Sequence, residues 1–69
     1  MNRASVSSSN VASVGYDPST LTLEVEFNNG SIYQYFDVPE IVYHELMRAS
    51  SIGKFMHANI RDNYRNIKI

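Results

Sequence analysis

Five basic side chains fall in the C-terminal stretch SIGKFMHANIRDNYRNIK: Lys54, His57, Arg61, Arg65 and, close after them, Lys68. The spacing of the first four, i, i+3, i+7 and i+11, is a single stripe if the stretch is an α-helix. Cations at that pitch neutralise phosphates and do no covalent chemistry. At its head, Ser51 has the residue type of a helix N-cap, which leaves the N–H groups of Ile52, Gly53 and Lys54 at the positive end of the helix dipole. Gly53 lets an anion approach and Lys54 adds a charge. Ser51, Gly53, Lys54, His57, Arg61, Arg65 and Lys68 are therefore the candidate anion- or nucleic-acid-binding residues. The P-loop spacing is absent, so nucleotide hydrolysis is not implied. The plain alternative is a solvated basic helix whose cations complement the dipole at its C-terminal end.

Catalytic constellations are weaker. His44 shares a helix face with Glu40 at i, i+4, which reads as a surface pair. No nucleophile elbow surrounds any serine, and the carboxylates Glu24 and Glu26 lie on an open strand face where a pKa is hard to shift. The expectation is a protein that is not an enzyme. With no cysteine and only two separated histidines, neither a disulfide nor a structural zinc site is expected, and no cofactor is. No apolar run reaches the ~20 residues of a membrane span. The N-terminus MNRASVSSSN lacks the apolar region of a signal peptide, which fits a cytoplasmic protein without a membrane partner.

At 69 residues the chain has room for one core, and a domain this small has on the order of 3–5 kcal/mol of stability. Its net charge of −1 is unevenly divided. Residues 1–47 set Arg3 against six carboxylates, a net of −5, and residues 48–69 set five cations against Asp62, a net of +4. A basic segment of that kind can meet polyanions even in a neutral protein.

The elements that must hold the stripe follow from periodicity. Residues 1–9 are polar and serine-rich and read as a flexible segment, leaving 10–69 as a single domain. Asn10–Tyr16 leans toward a strand. The sequence DPST then makes a turn in which the Asp17 side chain bonds the backbone two residues on. In TLTLEVEF, Leu21, Leu23, Val25 and Phe27 alternate with Thr22, Glu24 and Glu26, a half-buried strand. NNG and SIYQYF complete a hairpin with two possible registers. A two-residue Asn29-Gly30 turn sets Tyr33 and Tyr35 on the polar face. A three-residue loop with Gly30 left-handed pairs Val25 with Tyr33 and Leu23 with Tyr35 on the apolar face, and sends Gln34 out beside Glu24 while showing Ile32 and Phe36. Hiding the tyrosines instead of a lone Gln favours the second. Asp37 then reads as the N-cap of a first helix, with Glu40 completing a capping box and Val42, Tyr43, Leu46 and Met47 facing inward. A second helix, about Ile52–Tyr64, buries Phe55, Met56 and Ile60. The expected fold is α+β: an antiparallel three-stranded β-meander followed by two α-helices packed on one face (β-β-β-α-α).

The Gly15–Asp17 triplet, the Leu-x-Val-x-Phe strand, Gly30 with Tyr33-x-Tyr35, Val38-Pro39, Ser51-x-Gly53-Lys54 and Ile60-Arg61 before Tyr64 occur in an order that resembles the KTSC family. That family is named after a domain at the C-terminus of some lysyl-tRNA synthetases. The resemblance runs from about Ser7 to the end and implies a small stand-alone member without an established activity, for which RNA binding is plausible. Two function classes remain. One is a binding module for RNA, weak and dominated by phosphate contacts. The other is a protein-interaction or accessory domain using Ile32, Phe36 or an open strand edge.

Overall fold

A computed structural model describes residues 1–69. The class is α+β, and the sheet is larger than the sequence suggests. Five antiparallel strands run in chain order: β1 (Ala4–Ser5), β2 (Val11–Asp17), β3 (Thr22–Phe27), β4 (Ile32–Tyr35) and β5 (Asn66–Lys68). Helix α1 (Glu40–Arg48), helix α2 (Ile52–Phe55) and a π-helical turn (Met56–Ile60) lie between β4 and β5. The expected meander is the middle of this sheet, and each end of the chain adds one strand to it.

The hairpin β3–β4 takes the three-residue register. Val25 pairs with Tyr33, Leu23 with Tyr35 and Glu24 with Gln34. Gly30 has φ +91°, its N–H donates to the Phe27 carbonyl at 2.9 Å, and Phe27 N–H donates to the Ser31 carbonyl at 2.8 Å. This is a type I turn closed by a left-handed glycine. In β2, Val14 and Tyr16 face inward with Leu23 and Val25 opposite. Strict alternation would turn Val11 outward. An irregularity between Val11 and Ser13 corrects this, so that Val11 opposes Phe27 and is fully buried.

Those inward side chains meet the helices. Val11, Val14, Leu23, Val25, Val38, Leu46 and Ile60 are all at most 1% exposed. Val42, Tyr43 and Met47 of α1 pack against this core half-buried. Tyr43 stacks on Tyr16 with ring centroids 4.9 Å apart, and the Tyr16 hydroxyl donates to the Val38 carbonyl. The Asp17 turn forms as expected, with Ser19 N–H donating to Asp17 Oδ1 at 2.9 Å.

Several local expectations are corrected. Leu21 is not part of the strand: it is left-handed (φ 57°) and exposed, and its carbonyl accepts from Val38 N–H at 2.9 Å. Asp37 does not cap α1. It too is left-handed (φ 59°), a conformation Asp tolerates better than most residues. That bend tucks Val38 into the core, and α1 starts after Pro39 with no side-chain cap. The second helix does not run to Tyr64. After Ile60 the chain turns, Asn66 Nδ2 donates to the Tyr64 carbonyl at 2.9 Å, and β5 joins the free edge of β4. The segment placed outside the domain, residues 1–9, supplies β1, with Ala4 opposite Val14 and Ser5 opposite Ser13.

Candidate groove beside the α2–π segment

Ser51 is the N-cap of α2, its Oγ accepting from Lys54 N–H at 3.3 Å. The remaining geometry differs from an open anion cradle. A Cβ placed on Gly53 would lie 3.2 Å from Asn10 Nδ2, so the glycine serves close packing of α2 on the Ser8–Asn10 loop.

The helix continues as a π turn, in which Arg61 N–H donates to the Met56 carbonyl at 2.9 Å. Met56 and Ile60 are thereby buried, while His57 and Arg61 remain exposed on the same side. π-Helical turns are rare and are found frequently at functional sites. Between this segment and the tip of the β3–β4 hairpin lies a cleft of about 590 Å³. Phe27, Tyr35 and Met56 give it an apolar interior, and Asn10, Asn29, His57 and Arg61 give it a polar border. A second depression, lined by Lys54 and Ala58, shares Asn10, Gly53 and His57 with the first. These adjoining depressions make a groove that Arg61 borders in the first part and Lys54 in the second. No carboxylate lines either part.

The structure therefore brings together Lys54, His57 and Arg61 and separates Arg65 and Lys68 from them. Arg65 follows the helical segment, with its guanidinium 5.2 Å from the Phe36 ring centroid and 3.5 Å from Asp37 Oδ2. Lys68 lies on β5 opposite Tyr33. The stripe drawn for a continuous α-helix ends at Arg61. Arg61 itself has Asp62 at 3.7 Å, an exposed pair that water screens. Phe36, offered by the sequence as an open apolar contact, has Arg65 over its ring.

Tyr35 and the hairpin tip were not among the sequence candidates. Tyr35 is 2% exposed, with its ring stacked near Tyr33 at 6.3 Å. Burial pushes its phenol above the usual tyrosine range, and the nearby Arg61 charge partly opposes this. The signal available in sequence was the left-handed Gly30, which sets the register and so turns both tyrosines toward the helices.

On the opposite face of the sheet, Glu24 is 5% exposed and held by Arg3 and by Gln34 Nε2 at 2.9 Å. Arg3 Nε also donates to Ser13 Oγ at 2.9 Å, and Ser13 Oγ donates to Glu26 Oε1 at 2.9 Å. The Gln34 hydrogen bond, followed by Arg3, lowers the Glu24 pKa against the opposing effect of burial. This cluster is internally satisfied and stabilises a charged carboxylate, so it supplies no acid–base pair. His44 and Glu40 lie 3.4 Å apart, both exposed, as the sequence suggests. No three metal-ligating side chains converge, and no helix is long and apolar enough to cross a membrane.

Comparison with known proteins places this geometry in a family. A protein of Stutzerimonas stutzeri is 44% identical over 54 residues, covering 78% of this chain and 76% of that one. A lysine–tRNA ligase of Nostoc is 46% identical over 50 residues, 72% of this chain; the chain spans only 9% of the ligase. The crystal structure of a KTSC domain protein from Yersinia pestis superimposes with a TM-score of 0.94 at 40% identity, covering 99% of this chain and 96% of that one. The KTSC domain model matches residues 7–64, and the chain belongs to the KTSC family.

Proposed function

We propose that this KTSC domain is a non-catalytic module that binds single-stranded RNA along the groove between the β3–β4 hairpin tip and the α2–π segment. The observation that carries this reading is the groove's one-sided chemistry: Lys54, His57 and Arg61 border it, and no carboxylate lines it. A phosphate backbone laid there meets two permanent cations, with the His57 ring as a further hydrogen-bonding group. The lysine–tRNA ligase relatives contain a similar segment within proteins whose name includes an RNA, which supports the choice of RNA over another polyanion.

Two to three phosphate contacts correspond to a slope of log K against log salt of about −1.4 to −2.1, at ~0.7 per phosphate for single strands. Binding is then weak at physiological salt and nearly indifferent to sequence in its electrostatic part. The test is fluorescence anisotropy of a labelled oligouridylate at several salt concentrations. Salt-sensitive association with a slope in that range supports the reading, and no association even at low ionic strength overturns it. A protein-interaction role is the second reading, favoured by the outer edge strand β5 and the residue that follows it, where Ile67 and Ile69 are 51% and 57% exposed. Association that persists in high salt and needs no RNA supports that one instead.

A further inference from the structure

The Tyr35 hydroxyl is the least explained polar group in the molecule. Its ring is buried, yet no group within the chain pairs with the hydroxyl. Every side-chain nitrogen or oxygen that is fully shielded from solvent has a hydrogen-bond partner. The Tyr35 oxygen must therefore retain access to the outside, and the cleft that Tyr35 lines provides it. A buried tyrosine ring whose hydroxyl has no partner in the chain and opens on a cleft offers a fixed donor to a molecule seated there.

The surroundings restrict what the ligand is. Phe27 and Met56 offer apolar and polarizable contact to a flat group. The Asn29 Oδ1 is used by Ser31 N–H at 2.9 Å, which leaves its NH2 to donate, and Arg61 and His57 add donors at the border. The Asn28 NH2 donates to the Ser8 and Ser9 carbonyls, which holds the wall in place and leaves its Oδ1 to accept. The free groups are thus the Tyr35, Asn29, His57 and Arg61 donors together with the carboxamide oxygens of Asn10 and Asn28, with no acidic residue among them. Their complement is a planar ring that carries both carbonyl or ring-nitrogen acceptors and N–H donors and is attached to a negative charge. At about 590 Å³ the cleft falls within the ~300–1,000 Å³ of ordinary small-ligand sites. We infer that the cleft seats one unstacked nucleobase, with the Tyr35 hydroxyl donating to a base acceptor and Arg61 meeting the adjoining phosphate. This rests on the RNA-binding reading and adds to it a base-contacting seat that phosphate binding alone does not require.

The inference is tested with uridine 5′-monophosphate and ribose 5-phosphate, titrated separately into the ¹⁵N-labelled domain at low salt, alongside oligouridylate. The nucleotide is expected to shift the amides of Asn29, Tyr35 and Met56, and ribose 5-phosphate to leave Asn29 and Tyr35 in place. Tyr35→Phe keeps the ring and removes only the hydroxyl, and is expected to weaken the nucleotide about three- to tenfold, the range for one neutral hydrogen bond. An unchanged melting curve for that variant shows that the loss is local. If the nucleotide and the sugar phosphate bind alike, or Tyr35→Phe binds as tightly as wild type, the base seat is overturned. Salt-sensitive oligouridylate binding in that same case leaves the phosphate reading standing. Failure of all three ligands overturns both.

Discussion

Arg3→Ala removes the cation that closes the outer face of the sheet. In the intact domain Arg3 contacts Glu24 and Ser13 and reaches within 3.8 Å of Glu26. The Glu24 side chain is 7% exposed and that of Arg3 is 25% exposed. Truncation leaves Glu24 with the Gln34 hydrogen bond alone. An unpaired buried acceptor costs about 1–3 kcal/mol. Removing the long Arg3 side chain also admits water to the carboxylate, which favours the lower half of that range, about 1–2 kcal/mol. With a urea m-value of about 1 kcal/mol/M for so small a domain, the midpoint should fall by about 1–2 M, read by circular dichroism at pH 7. The sign with pH is fixed by the Glu24 pKa, which folding lowers. Its contribution is present above the unfolded glutamate value of about 4.3 and is lost as pH falls through the lower folded value. The gap between wild type and Arg3→Ala should accordingly narrow below about pH 4. A variant within about 0.5 kcal/mol of wild type at pH 7, the range of an ordinary surface substitution, would refute the docking of the N-terminal segment.

Leu23 is fully buried opposite Tyr35, so Leu23→Ala should cost about 2–5 kcal/mol and leave the domain largely unfolded at room temperature by circular dichroism; a normal melting curve would show the core to be elsewhere. Gly15 takes no side chain, because a Cβ there would lie 2.5 Å from the Asn2 carbonyl oxygen and 3.0 Å from Arg3 Cγ. Gly15→Ala should therefore lift β1, seen as faster amide exchange at Val6, whose N–H donates to the Ala12 carbonyl, while the Val25–Tyr33 pairing stays protected. Equal protection of Val6 in both proteins would contradict it.

The centre of the fold was legible because its signals are local. Alternation in β3, the Asn28-Asn29-Gly30 loop and the polarity of Gln34 together select one register out of two. The Ser51 cap and the inward face of α1 follow from residue type and spacing. What sequence missed depends on distant partners. Ala4–Ser5 has no pattern of its own and is a strand only because β2 offers an edge and Glu24 needs Arg3. Asn66–Lys68 lies beyond the segment read as helix and has no alternating pattern of its own, and it becomes a strand because β4 also has a free edge. Asn63, Tyr64 and Asn66 were the available stop signal, since Asn side chains compete for backbone groups and end helices. Two of the seven candidate residues moved for this reason: Lys54, His57 and Arg61 stay on one side, and Arg65 and Lys68 leave with the new strand. Tyr35 was read as structural only, because its ring is core and its hydroxyl acquires a role only once the cleft exists.

The central claim, that the groove and not overall basic charge holds RNA, is tested most directly by two charge-matched variants. Lys54→Gln with Arg61→Gln removes two groove cations, and Arg65→Gln with Lys68→Gln removes two that lie outside it. Oligouridylate affinity should be measured for both across a range of salt concentrations. The groove variant should lose most of the binding, and its salt slope should flatten by about 1.4, while the other keeps most of its affinity and a slope near that of wild type. Equal losses in the two variants, or a greater loss in the second, would contradict the account.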